Sequence, residues 1–314
     1  MKRFIINILI VLFGAIGILS IMTWNEATSL QRANFKLPQK KHIAAIGPST
    51  TARALNDSII GGLFNMSRNA VWLSDVLPLL PKLLDENPQI DTVLINHGRF
   101  LFIHMGQAKE EPSLHLLREK LPLFFYDKSQ TNWNVLLSDI DFFAAILTPD
   151  FYNMTMTKKS ELSDFGFGHK KKPEKYFIDC PQLTGVAEYD SLKKKHGSTF
   201  YSKEWILKNC ADEEASVRKA IEVCKQRNVV PVLFFTPLYN YSNWYSWDGF
   251  CDFIKDYDEN ILIADYEDFE FPDLSYRSDI IHLNEFGADY LSTDIARKGL
   301  NAIPLKEWLK NKGY

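Results

Sequence analysis

Residues 43–60 read IAAIGPSTTARALNDSII. A short apolar run comes first, Gly47-Pro48 breaks it, and Ser49 leads into residues 51–63, where apolar positions recur at helical spacing. An apolar run bounded by Gly-Pro reads as a buried strand, and the segment after Ser49 reads as a helix. The same alternation continues outward. Residues 71–85 carry Leu73, Val76, Leu77, Leu80 and Leu84 on one stripe, with Pro78 and Pro81 placed to kink it. Residues 92–95 are strand-like. Residues 212–227 form an amphipathic helix, and 229–236 (VVPVLFFT) a strand stopped by Pro237. Residues 261–264 make another short strand and 284–298 a terminal helix. Strands that are apolar throughout, alternating with helices, imply an α/β fold with a parallel sheet covered on both faces. Functional groups in such sheets gather at the carboxyl ends of strands. That singles out residues 47–50, 96–99, 236–241 and 278–282.

Upstream of this unit, residues 4–24 read FIINILIVLFGAIGILSIMTW, with no charged residue in 21 positions. About 20 apolar residues in a helix span a ~30 Å hydrocarbon core. A cleaved signal peptide is the rival. Its apolar stretch is usually 7–15 residues and ends in a small-x-small site, and neither feature is present here. Residues 1–25 are therefore expected to be a transmembrane signal anchor, with 26–41 a polar stalk. Lys2 and Arg3 precede the run, and a short basic tail before a first helix favours a cytoplasmic N-terminus. The expectation is a single-pass cell-membrane protein with residues 42–314 extracytoplasmic.

Residues 104–205 break the β/α rhythm. They carry many aromatics and basic runs at 170–172 and 193–195, and read as an insertion over the sheet. The chain holds 36 Lys plus Arg against 39 Asp plus Glu, a net charge of −3, which argues against nucleic acid as a partner. The four cysteines (Cys180, Cys210, Cys224, Cys251) form no C-x-x-C pair, so a zinc ribbon or thioredoxin-type site is not expected. Disulfides and buried free thiols both remain open.

Two features carry chemistry. Ser49 lies between a strand and a helix, where its hydroxyl serves either as a helix cap or as a nucleophile. Asp279 precedes His282 by three residues, ahead of Asn284, a good N-cap. A loop His held by an Asp is suited to general-base work, and the alternative is a surface His in a capping loop.

Together these stretches resemble the SGNH/GDSL hydrolase superfamily in its membrane-anchored envelope branch. The resembling pieces are residues 43–60, 64–72 (FNMSRNAVW), 92–98 (TVLINHG), 229–237 (VVPVLFFTP) and 278–292 (SDIIHLNEFGADYLS), in the family's order. The resemblance implies a flavodoxin-like three-layer α/β/α domain, and ester hydrolysis or acyl transfer without a metal or organic cofactor. It makes Ser49, His282 and Asp279 the catalytic set. The oxyanion hole would be formed by the Ser49 N–H, the Ala70 N–H and the Asn96 side chain, with His97 a substitute donor. Three blocks depart from the family pattern. Gly47-Pro48-Ser49 stands for G-D-S, Ala70 for a Gly, and Asn96-His97-Gly98 for the usual G-x-N-D. The implied substrate is an acylated envelope glycan or polymer, with a membrane acyl-transfer protein as a partner. The alternative is a degenerate domain that binds a glycan or protein without chemistry, with Trp244, Tyr245 and Trp247 available to stack on sugars.

Overall fold

The computed structural model describes residues 2–32, 35–68, 72–98, 194–195, 202–239, 248–279 and 281–314. Ala70, Cys180, Trp244, Tyr245, Trp247 and most of 104–205 lie outside them. The chain divides into two compact units, Met1–Phe35 with Glu111–Asp164, and Lys36–Glu110 with Phe165–Tyr314.

In the first unit, helix α1 runs over Lys2–Arg32. Among the described residues no helix is long and apolar enough to cross a membrane. The described side chains of α1 cover residues 2–18 and 21. Among them Phe4, Val11 and Phe13 are largely exposed, at 68%, 71% and 68%.

The second unit is built on a six-stranded sheet. Its strands are β1 (Ile43–Ile46), β2 (Leu63–Asn65), β3 (Thr92–His97), β4 (Val230–Phe235), β5 (Leu262–Asp265) and β6 (Ala302–Pro304), in the order β2-β1-β3-β4-β5-β6. All neighbouring pairs are parallel except β5–β6, which is antiparallel. The all-parallel expectation thus fails at one edge. Three residues ending in Pro304 are too short to give a periodic signal, and a proline without an N–H is tolerated at an edge.

Helices α2 (Ser49–Ala54) and α8 (Glu285–Lys298) pack against each other on one face of this sheet. The other face carries α3 (Leu73–Val76), α4 (Leu80–Glu86) and α6 (Ala211–Lys225), the last lying on β3 and β4. Helices α5 (Lys203–Asn209) and α7 (Asp248–Ile254) pack together, and α9 (Leu305–Asn311) follows β6. This is a three-layer α/β/α arrangement.

The sequence explains these elements locally. In α6, Val217, Ala220, Ile221 and Cys224 are buried at helical spacing and form the face laid on the sheet. In α8, Ala288, Leu291 and Ile295 do the same; a fully buried Leu such as Leu291 contributes about 1.5–3 kcal/mol. The stripe at 71–85 is broken where its prolines fall, into α3, a 3-10 turn at Leu77–Leu79, and α4. Helix α2 is only six residues, shorter than the spacing over 51–63 implies. Asn56 explains the stop: its side chain accepts from the Ser58 N–H in a local turn, and its N–H donates to Ser292 Oγ. Helix α5 begins at Ser202, whose Oγ accepts from the Trp205 N–H, so regular structure resumes slightly before the expected end of the insertion. Cys210, Cys224 and Cys251 are buried, and burial pushes the thiols of Cys210 and Cys224 up to about 12.

Candidate active site

Two strand ends and one loop converge at the top of the sheet. The first is the β1–α2 turn. Its N-cap is Pro48, in extended conformation and with no side-chain cap, so Ser49 is the first helical residue and not a cap. The Ser49 hydroxyl is free to face elsewhere, and it meets His282 Nε2 at 2.8 Å across 233 positions of sequence. The turn is tight because position 47 has no side chain. A Cβ there would lie 2.5 Å from Asn96 Cβ and 2.7 Å from Thr51 Oγ1, so β1 can end beside β3 only as glycine.

The second contributor is the loop between the 3-10 turn Leu274–Tyr276 and α8. It closes on itself through an Arg277–Leu283 bridge and a Ser278 N–H to His282 O bond of 3.1 Å. Asn284 fixes its exit. The Asn284 Oδ1 accepts from Gly287 N as the α8 cap, while its Nδ2 donates to Ser275 O at 2.5 Å. Gly287 is required here: a Cβ would sit 2.0 Å from the Tyr276 carbonyl oxygen. Within this loop Asp279 Oδ1 accepts from the Ile281 and His282 N–H groups, and Oδ2 accepts from His282 Nδ1 at 2.7 Å. With Nδ1–H bonded to the carboxylate, Nε2 is left as the acceptor for the Ser49 hydroxyl. Burial works to raise the Asp279 pKa. The hydrogen bond and charge of His282, with the two backbone N–H donors, outweigh it and hold the carboxyl below its usual range.

Arg277 anchors the loop to the segment after β4. Its guanidinium is buried, donates to Leu238 O at 2.6 Å and Pro237 O at 3.4 Å, and lies over the Phe271 ring at 5.0 Å. Burial lowers it to about 10. Sequence reading missed this residue, because one Arg in a polar loop carries no periodic or motif signal.

The end of β3 is the third contributor, and alternation decides which residue faces Ser49. Leu94 packs with Ala54 and Leu291, on the α2/α8 face, so Asn96 shares that face and His97 points to the other. Asn96 is 3% exposed, adjoins Gly47, and its Nδ2 has no hydrogen-bond partner among the described residues. Thr51 Oγ1 and Ser67 Oγ, in the same neighbourhood, are also buried without partners. Buried polar groups without a protein partner are uncommon, and three of them lie together beside Gly47. His97 is placed differently. Its ring lies among Phe235, Phe250, Phe253 and Tyr257. Its Nδ1 accepts from Gly98 N at 2.9 Å and its Nε2 bonds Tyr257 Oη at 3.2 Å, leaving no donor for the Ser49 side. Ala70 lies outside the described residues.

No protein-family model matches the chain, and no curated protein matches it.

Proposed function

We propose that the chain is a serine ester hydrolase or O-acyltransferase of the SGNH type, acting on an acylated envelope glycan or polymer. The observation that carries this reading is the aligned series Ser49 Oγ, His282 Nε2, His282 Nδ1 and Asp279, with contacts of 2.8 and 2.7 Å. A hydroxyl bonded to the free nitrogen of an Asp-held imidazole is an activated nucleophile.

The reaction proceeds in two halves. His282 Nε2 takes the Ser49 proton as Oγ bonds the acyl carbon. Charge then develops on the former carbonyl oxygen, where the Asn96 amide and the Ser49 N–H stabilise it. His282 returns the proton to the departing alkoxide, leaving acyl-Ser49. An incoming water, or the hydroxyl of an acceptor, then loses its proton to His282 and bonds the acyl carbon, and His282 returns that proton to Ser49 Oγ as the acyl–oxygen bond to Ser49 breaks. Asp279 stays ionised and orients the imidazole throughout. The chain's own side chains supply every proton transfer.

A fluorophosphonate probe on the full chain is expected to label the protein at Ser49 by peptide mass spectrometry, with no labelling of Ser49→Ala. An unlabelled wild-type protein removes the nucleophile from this reading.

The domain is tethered through residues 4–24, with the α/β unit outside the cytoplasm beside envelope polymers and a membrane acyl-transfer partner. The charge-free run and its outward apolar side chains in α1 support this. The protein is expected to stay in the membrane pellet under alkaline carbonate, and protease added to spheroplasts should digest the α/β unit. A mature N-terminus near residue 26–30 would refute the tether.

A further inference from the structure

The outer side of α8 and the 3-10 turn Leu274–Tyr276, which flank the loop holding Asp279 and His282, form a second feature. An open cleft of about 790 Å³ lies there, lined among others by Tyr276, Phe286, Asp289, Tyr290, Asp294 and Arg297. That volume falls within the ~300–1,000 Å³ of small-molecule sites. Tyr276 ends the 3-10 turn that enters the Asp279–His282 loop and accepts the Asn284 N–H through its carbonyl, and Phe286 lies in the first turn of α8 that leaves it, so the cleft flanks that loop on both sides.

The aromatic groups are numerous and in mutual contact. Tyr276 and Tyr290 meet at 5.3 Å between ring centroids, and Phe271 lies 6.0 Å from each. Phe269 adds contacts to Phe271 at 5.0 Å and Tyr290 at 6.1 Å. Phe269 and Phe271 tie this cluster to the core. Phe286 and Tyr290 do not follow them inward: they remain 57% and 42% exposed. Tyr290, held by Phe269, Phe271 and Tyr276 and bare on its other side, makes a stacking platform at low entropic cost to a ligand, and Phe286 adds exposed apolar surface beside it.

Charge selects among ligands. Among the described residues the lining holds two carboxylates against one guanidinium, and Asp294 already pairs with Arg297 at 3.2 Å and Lys298 at 2.8 Å. Asp289 holds the Asn56 amide at 2.6 Å. With no excess of positive charge among its described residues, the cleft is unsuited to a polyanion. It is also open and crossed by charged groups, which disfavours an acyl chain. A neutral oligosaccharide fits both properties. Its ring faces present C–H groups to aromatic faces, and its hydroxyls pair with carboxylate, guanidinium and phenol groups.

We infer that this cleft, framed by Tyr276, Phe286 and Tyr290, binds a neutral oligosaccharide segment of the substrate. The inference rests on the ester reading only for the fate of the bound glycan; binding itself does not need Ser49. The test therefore uses full-length Ser49→Ala protein in lipid nanodiscs, titrated with maltotetraose, cellotetraose and chitotetraose and followed by saturation-transfer NMR. Saturable binding of at least one is expected. Its dissociation constant should rise at least tenfold with Phe286→Ala or Tyr290→Ala, and less with Tyr290→Phe, which keeps the ring. Thermal unfolding confirms that each variant is folded. Binding of none of the three, or binding unchanged by both alanine variants, overturns the inference. Tighter binding of polyphosphate or decanoate at the same residues overturns it equally. None of these outcomes depends on the serine-probe experiment, so the two readings fail separately.

Discussion

Replacing Ser49 by Ala is expected to reduce acyl-ester turnover to background, with His282→Ala nearly as severe. The two side chains share one hydrogen bond at 2.8 Å, and neither has a chemical function without the other. Members of such a unit are non-additive: losing either one costs on the order of 10⁶ in kcat, about as much as losing both. Asp279→Asn should cost less, on the order of 10⁴. The carboxylate reacts with nothing; it fixes the tautomer by accepting from Nδ1, a role an amide fulfils poorly. Asn96→Ala should cost on the order of 10²–10³ if its unpartnered amide serves the oxyanion. The check is steady-state turnover of several small acyl esters by folded variants. Wild-type turnover equal to that of Ser49→Ala on all of them would favour a binding domain over an enzyme.

The fold was legible wherever burial is two-sided. Strands β1, β3, β4 and β5 were readable because sheets covered on both faces demand continuous apolar runs, and VPVLFF in β4 is the clearest. The terminal helix was readable from its cap and stripe, and Asn284 does cap α8. Two short strands were not. β2 and β6 have three residues each, below the length at which periodicity is measurable. The extent of α2 was misread for a related reason. Apolar spacing continues past Ala54, but Ile60 and Leu63 reach the core from a turn and from β2, not from a longer helix.

The three side chains that meet in the candidate site were legible, and their support was not. Ser49, Asp279 and His282 are recognisable because strand ends collect loops at one edge of a parallel sheet. The choice between cap and nucleophile for Ser49 was invisible in sequence, since Ser performs both roles. Structure excludes the cap, because Pro48 occupies that position. The choice between Asn96 and His97 likewise turned on the parity of β3, which spacing alone does not anchor to a face. Leu94 anchors it, by packing with Ala54 and Leu291. Arg277 and the glycine contact at Gly287 depend on chain segments remote in sequence or on backbone oxygen atoms, and leave no pattern to read.

Acidification should destabilise the fold through His97 well before general acid unfolding. The His97 ring is 2% exposed, and burial, with the nearby positive charge of Arg218, lowers its pKa to about 3. An unfolded His titrates near 6.5. Between these values the unfolded chain binds a proton that the native state refuses, so stability falls as pH drops below about 6.5. The slope from this one group is about 1.4 kcal/mol per pH unit once the unfolded His is protonated. Other charges face the same ring. Tyr257 joins Nε2 to Glu214, which also pairs with Arg218. Burial raises Glu214, so it acts in the opposite sense: the native state takes up its proton first, and stability rises as pH falls through its native pKa. The two contributions separate in a variant. His97→Gln keeps a polar side chain for Gly98 and Tyr257 but cannot titrate. Its stability at pH 7 should be lower than wild type by about 1–3 kcal/mol, from lost ring packing. Its stability should then fall less steeply between pH 6 and 4, with the slope reduced by about one proton. Urea unfolding of both proteins at half-unit pH intervals measures this. Parallel curves for wild type and His97→Gln would mean that His97 is protonated in the native state, and that the buried neutral imidazole bonded to Tyr257 is wrongly assigned.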